Sequence, residues 1–194
     1  MKKIATTEVP IDDVIAQRWS PRAFDSSYII TEDEIKSLFE AARWAPSCYG
    51  DQPWQFVLFN KEDATAWTSV LNCLSVGNQN WAMDASILIV VCSNTNFNHN
   101  NEPNRWAHYD TGAAAENICL QATSIGLSAH QMGGFDQDKV RNLSKIPTKF
   151  DIIACMVVGK NLDESKLSKI QKDKEGQVRS RKLLKNIYFI NEWK

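Results

Sequence analysis

The run Arg18-Trp19-Ser20-Pro21-Arg22 places two guanidiniums and a hydroxyl at alternate positions. Pro21 disfavours helix at this point, and in extended chain residues two apart point the same way. Arg18, Ser20 and Arg22 therefore present one face. That face suits a phosphate monoester, which carries about −1.5 to −2 charges near neutral pH and accepts planar, forked hydrogen bonds from arginine. A second basic group, Arg179-Ser180-Arg181-Lys182, lies near the C-terminus. Taken alone, each group reads as an ordinary solvated basic stretch.

Two further segments have ligand-binding character. In Ala45-Pro46-Ser47-Cys48-Tyr49-Gly50-Asp51-Gln52-Pro53-Trp54 the small and turn-forming residues mark a loop. Tyr49, Gln52 and Trp54 can line a flat pocket, or Trp54 can simply be core. In Gln131-Met132-Gly133-Gly134-Phe135 the paired glycines let backbone amides approach a ligand closely, or form a plain turn. No Ser-His-Asp set, metal-ligand cluster or close carboxylate pair is evident. His99, His108 and His130 are scattered and read as surface or core. No catalytic side chain and no metal site are therefore expected, which fits chemistry carried by a bound cofactor.

Around these segments the chain has 194 residues, 43% of them hydrophobic, enough for one domain with a substantial core. The net charge is −1, so no global basic excess draws nucleic acid or an anionic membrane. No apolar run approaches the roughly 20 residues needed to span a bilayer. Met1-Lys2-Lys3-Ile4 has charges but no apolar stretch behind them, so no signal peptide is expected. The five cysteines, Cys48, Cys73, Cys92, Cys119 and Cys155, are odd in number and form no C-x-x-C pair. A reducing cytoplasm fits best.

The positioning elements follow from periodicity and capping. Residues 10–17 read as a short helix with proline at its start. Thr31-Glu-Asp-Glu34 is a capping box. The stripe Ile35, Leu38, Phe39, Ala42 continues it as an amphipathic helix that stops near Trp44, before Pro46. Residues 55–59 read as a strand. Residues 86–92 and 152–158 are continuous apolar runs and read as central strands buried on both faces. Residues 108–125 read as a long central helix whose small residues, Gly112 to Ala115, face a partner subunit. Residues 94–104 read as a polar loop and 160–182 as charged surface. The order is not a regular βαβ series, which suggests α+β.

In order along the chain, several short motifs resemble the FMN-dependent nitroreductase family. They are the R-x-S-x-R-x-F of Arg18 to Phe24, the A-P-S ending at Ser47, the Q-P-W ending at Trp54, and Asn78 followed by Asp84-Ala85. Beyond them come Asp110-Thr-Gly-Ala-Ala, Gly133-Gly134-Phe135, Val158-Gly159-Lys160 and the C-terminal basic group. The resemblance implies an α+β fold with a mixed, mainly antiparallel central sheet flanked by helices. It implies one FMN-binding domain over residues 1–194, in a homodimer whose tail, about 185–194, pairs with the partner's sheet.

It also implies roles. Arg18, Trp19, Ser20 and Arg22 would hold the FMN phosphate and ribityl from one side. Arg181, with Arg179 beside it, would close on the phosphate from the other. Asn78 would bond the polar edge of the ring system. Gly134 would place an amide near flavin N5, with Gly133 and Met132 against the ring. Pro46, Ser47, Cys48 and Tyr49 form the loop offered to the opposite subunit's flavin, with Gln52 orienting it. NADH or NADPH would donate hydride, and a small-molecule acceptor such as a nitroaromatic or quinone would take it in ping-pong turnover. Flavin-fragmenting or reductive dehalogenating chemistry on the same fold, or a non-catalytic flavin redox sensor, are the alternatives at this stage.

Overall fold

The computed structural model describes residues 3–193; Met1, Lys2 and Lys194, from the charged start and the tail, lie outside it. Four strands form one sheet in the order β1-β2-β4-β3: β1 Trp54–Asn60, β2 Ile87–Asn94, β3 Ser128–Met132 and β4 Phe150–Gly159. Every ladder within the chain is antiparallel. Among the described residues seven α-helices surround the sheet: α1 Asp13–Gln17, α2 Glu32–Arg43, α3 Ala64–Leu71, α4 Val76–Ala82, α5 Ala107–Ser124, α6 Gln137–Ser144 and α7 Lys169–Glu175. The α+β reading holds.

All of β2 is buried, as its unbroken apolar run requires. Its side chains divide by alternation. Ile87, Ile89 and Val91 join one core with Leu38, Ala42, Ala114 and Ile118 of α2 and α5. Leu88, Val90 and Cys92 join the opposite core with Trp67, Trp81 and Val140 of α3, α4 and α6. In β4, Ala154, Met156 and Val158 serve the first core, and Ile152, Cys155 and Val157 the second. A register shift opposite Val91/Cys92 accounts for the break in that alternation.

Some boundaries move. The first helix begins at Asp13, not Pro10, because the Asp12 carboxylate accepts from the Val14 amide and caps the chain there. Of the small run in α5, Ala114 and Ala115 are buried in the chain's own core, while Gly112 stays outside. The apolar run 186–190 forms no strand within its own chain. A short 3-10 turn, Leu184–Asn186, precedes it, and Ile187, Tyr188 and Ile190 are exposed. A lone extended segment has no ladder to join without a neighbouring edge.

The Thr31 capping box is complete: the Thr31 hydroxyl accepts from the Glu34 amide at 3.2 Å, and Glu34 Oε2 accepts from the Thr31 amide at 2.8 Å. Burial raises the Glu34 carboxyl, but hydrogen bonds from Tyr28 and Thr31 outweigh it, so its pKa lies below the ordinary 4.5. A lowered carboxylate stabilises the fold fully above the unfolded pKa and loses that contribution as pH falls through the folded one. Thr31→Ala is expected to cost about 1 kcal/mol in urea unfolding at pH 7. The gap between variant and parent should narrow below about pH 4; an equal gap at both pH values would contradict the reciprocal cap.

Candidate functional site

At Arg18 the chain leaves α1 and turns extended, with φ −60° and ψ 124°. From there Arg18, Trp19, Ser20 and Arg22 line a cavity of about 220 Å³ whose far wall carries Arg179 and Arg181. The two basic groups read separately in the sequence thus meet in space. Lys3 and Lys174 also line it, giving six cationic side chains against one carboxylate, Glu175. That balance fits an anion and no other small ligand so well.

The geometry within the cavity is specific. Arg18 donates from Nη1 to Ser20 Oγ at 3.4 Å, and its Nε stands 3.4 Å from Glu116 Oε1 on α5. The Arg22 guanidinium lies 6.0 Å over the Trp81 ring, and Lys3 Nζ lies 4.8 Å over Trp19. Arg181 is exposed and donates to its neighbour's carbonyl, Ser180 O, at 2.7 Å. Arg179 differs: Nη1 donates to Lys3 O and Ala16 O, and Nη2 to Arg18 O, at 2.6, 3.0 and 2.8 Å. Burial lowers its pKa, and the charges of Arg18 and Arg181 lower it further.

Beside this cavity lies a second group. Asn78 on α4 donates from Nδ2 to the Gly134 carbonyl at 3.0 Å, and the Ser75 amide donates to the same oxygen at 2.9 Å. A Cβ on Gly134 would meet Ser75 Oγ at 2.8 Å and Asn78 Nδ2 at 2.9 Å, so only glycine fits without displacement. A Cβ on Gly133 meets nothing within 4 Å, so its α-carbon faces open space. Met132 is 4% exposed, because alternation along β3 turns it into the core, and only its backbone is left for a ligand. Trp81, one turn beyond Asn78 on α4, packs against His130 of β3 with ring centroids 4.4 Å apart and planes tilted by 34°. His130 Nδ1 donates to the Pro21 carbonyl at 2.8 Å. Burial lowers the His130 pKa, the Pro21 bond partly offsets this, and Arg22 and Arg18 lower it further. Trp81 and His130 therefore join the 18–22 segment to the glycine pair.

The loop bearing Pro46, Ser47, Cys48, Tyr49 and Gln52 does not line the cationic cavity of its own chain. It docks on the N-terminal end of α5, where buried Asp110 accepts from the Cys48 amide at 2.9 Å. Ser47 Oγ accepts from the Gln52 amide at 3.1 Å. Tyr49 and Gln52 hold positive φ, 54° and 50°, which costs of order 1–3 kcal/mol at each non-glycine position. The Tyr49 side chain is 84% exposed, in edge contact with Phe97 and His99.

Sequence reading gave no site role to Lys3, Trp81, His130, Glu116 and Glu175 around these groups, and met Asp110 only as the start of a motif. None sits in a telling spacing. Each acts through a contact between segments distant in the chain. The glycine pair gives a test. Gly134→Ala should destabilise by about 1–3 kcal/mol through overpacking against Ser75 and Asn78, whereas Gly133→Ala should stay within about 0.5 kcal/mol. Urea midpoints of the two variants measure the difference; equal losses would contradict the close approach at Gly134.

The chain is similar to known proteins along most of its length. A crystal structure described as an oxidoreductase containing FMN is 34% identical, with a TM-score of 0.89 over 97% of this chain and 96% of that one. Protein DrgA of Synechocystis sp. is 28% identical, covering 89% of this chain and 93% of its own length. An oxygen-insensitive NADPH nitroreductase of Helicobacter pylori is 26% identical, covering 85% and 92%. The profile of the Nitroreductase family matches residues 15–160, and the chain belongs to that family.

Proposed function

We propose that this chain is an FMN-dependent oxidoreductase that uses NAD(P)H to reduce nitroaromatics, quinones or similar conjugated acceptors as a homodimer. The observation that carries the reading is the meeting of residues 18–22 with Arg179 and Arg181 around one cationic cavity, beside the Asn78–Gly134 pair. The cavity fits the cofactor's phosphate in charge and donor type. The open α-carbon of Gly133 fits the approach of a flat ring. The FMN-containing relative and the NADPH nitroreductases support the cofactor and the electron donor.

Bound FMN would supply two-electron hydride chemistry between the nicotinamide and the acceptor. The residues of this chain bind and orient. Arg18, Ser20, Arg22 and Arg181 hold the phosphate. Asn78, with Nδ2 committed to Gly134, offers its amide carbonyl to the donor on the polar edge of the flavin. The amide of Gly134 would be offered to the ring of the bound flavin, beside the open α-carbon of Gly133. Residues 1–194 act as one domain, and the five free thiols suit a cytoplasmic setting. No helix among the described residues is long and apolar enough to cross a membrane.

The dimer reading rests on what the single chain leaves uncovered. The loop at Pro46–Ser47–Cys48–Tyr49 stands apart from its own cationic cavity and is offered to the partner's flavin, with Gln52 bracing it. The tail beyond Lys185 exposes Ile187, Tyr188 and Ile190 while the sheet keeps two edge strands, β1 and β3. Pairing the tail with the partner's sheet covers both.

Arg18→Ala and Arg181→Ala are each expected to weaken FMN binding roughly tenfold to a hundredfold, as hydrogen bonds to a charged group contribute about 1.5–3 kcal/mol. The double variant should lose less than the sum, because both contact one phosphate. Fluorescence titration of FMN-free protein measures this, and unchanged dissociation constants in both variants would displace the phosphate site. Ending the chain after Lys185 should give monomer or aggregate that holds no flavin. Light scattering after size exclusion decides, and a truncated protein that stays dimeric and yellow would defeat the exchanged tail.

A further inference from the structure

The cationic cavity has two halves, drawn from segments far apart in the chain. Six positive side chains line it, so in the absence of an anion the halves repel. Two contacts oppose this. Glu175, the last residue of α7, is 5% exposed, and its Oε1 accepts from the Arg22 backbone amide at 2.8 Å. Its Oε2 is buried with no hydrogen-bond partner among the described residues. Arg179 reaches across in the other direction and bonds the carbonyls of Lys3, Ala16 and Arg18. Two ties, one at each end of the extended 18–22 segment, thus fix the chain just before it reaches Arg181.

We infer that Glu175 and Arg179 are positioning residues, a clasp that delivers Arg181 to the cofactor phosphate without themselves holding it. The inference rests on the phosphate reading of this cavity. It reassigns Arg179, whose two terminal nitrogens are committed to main-chain oxygens. It also gives a reason for a buried carboxylate beside an anion site, which on charge alone would oppose binding. The carboxylate acts through the Arg22 amide, as a hydrogen-bond acceptor that fixes α7 against the extended 18–22 segment. The order of the chain supports this. Glu175 and Arg179 flank the turn that leads out of α7, so the chain is fixed at both ends of that turn just before it reaches Arg181.

A clasp acts on the phosphate half of the cofactor alone. Riboflavin, which lacks the phosphate, is the control that separates it from a general loss of structure. In titrations of the flavin-free protein, Glu175→Ala and Arg179→Ala should each lower FMN affinity about tenfold while riboflavin affinity stays within about twofold. Glu175→Gln keeps an acceptor at the same place and should retain the preference for FMN over riboflavin. Arg179→Lys keeps the charge but not the planar fork, and should lose the preference as Arg179→Ala does. The clasp is overturned if the alanine variants keep the parent preference or if both flavins weaken together. It is equally overturned if Arg179→Lys behaves as the parent or Glu175→Gln behaves as Glu175→Ala. A parent protein that binds FMN and riboflavin alike would sink the phosphate reading itself, and the clasp with it. A parent preference that survives in the variants sinks the clasp alone.

Discussion

A strand with no polar face must be covered on both sides, and β2 imposes that condition on the whole molecule. Its eight residues are all buried. Two helices cover one face and three cover the other, and each must return to the sheet through a loop at its end. The 18–22 segment, the last turn of α4 and the middle of β3 meet in this way. They are joined by Pro21–His130, His130–Trp81 and Trp81–Arg22 contacts, each of which links elements far apart in sequence. The binding groups sit on extended chain and turns, while the helices and strands behind them supply the rigidity.

Local signals made much of the fold readable. Thr31 and Glu34 state a helix start in four residues, and the structure contains both reciprocal bonds. The apolar runs at β2 and β4 are long enough to admit only buried strands. By contrast α3, α4 and α6 span seven or eight residues, too short for a periodic stripe to stand out. Two of them did carry a sign in their caps: Asp63 and Asp136 accept from the amides of Ala66 and Lys139. The tail is a different case. Its apolar, β-prone residues were legible, but a strand exists only with a partner edge, and the tail pairs with neither edge of its own sheet.

The site was legible where spacing carries chemistry and illegible where tertiary contact decides it. Arg18, Ser20 and Arg22 alternate, and alternation in extended chain is enough to aim them together. Glu175 sits in the charged run Lys169–Glu175, where every neighbour argues for solvent, yet it is buried. Arg179 reads as one more phosphate ligand beside Arg181. Only the positions of three main-chain oxygens, at Lys3, Ala16 and Arg18, reveal what its guanidinium binds. A sequence can announce a cation, but not whether its hydrogen bonds are already used.

The long helix α5 ties these features into one argument about assembly. Asp110 near its start holds the Cys48 loop, and Glu116 stands beside Arg18. Those residues are six positions apart, about 9 Å along the axis. A two-fold axis crossing the helix would bring one subunit's 46–49 loop toward the other's cationic cavity, since an isologous contact places each element against the other's counterpart. Tyr109, on the same helix, is 80% exposed, and Tyr49 is 84% exposed at a strained φ. Strain and exposed aromatic surface both oppose folding of a lone chain, and both are offset if a partner and its flavin cover them. In the proposed dimer the clasped C-terminal segment then has two duties. Its first half brings Arg181 to the phosphate, and its second half leaves toward the partner's sheet. Cofactor binding would order the start of the segment whose end joins the subunits, so FMN affinity and dimer stability would be linked and would rise or fall together.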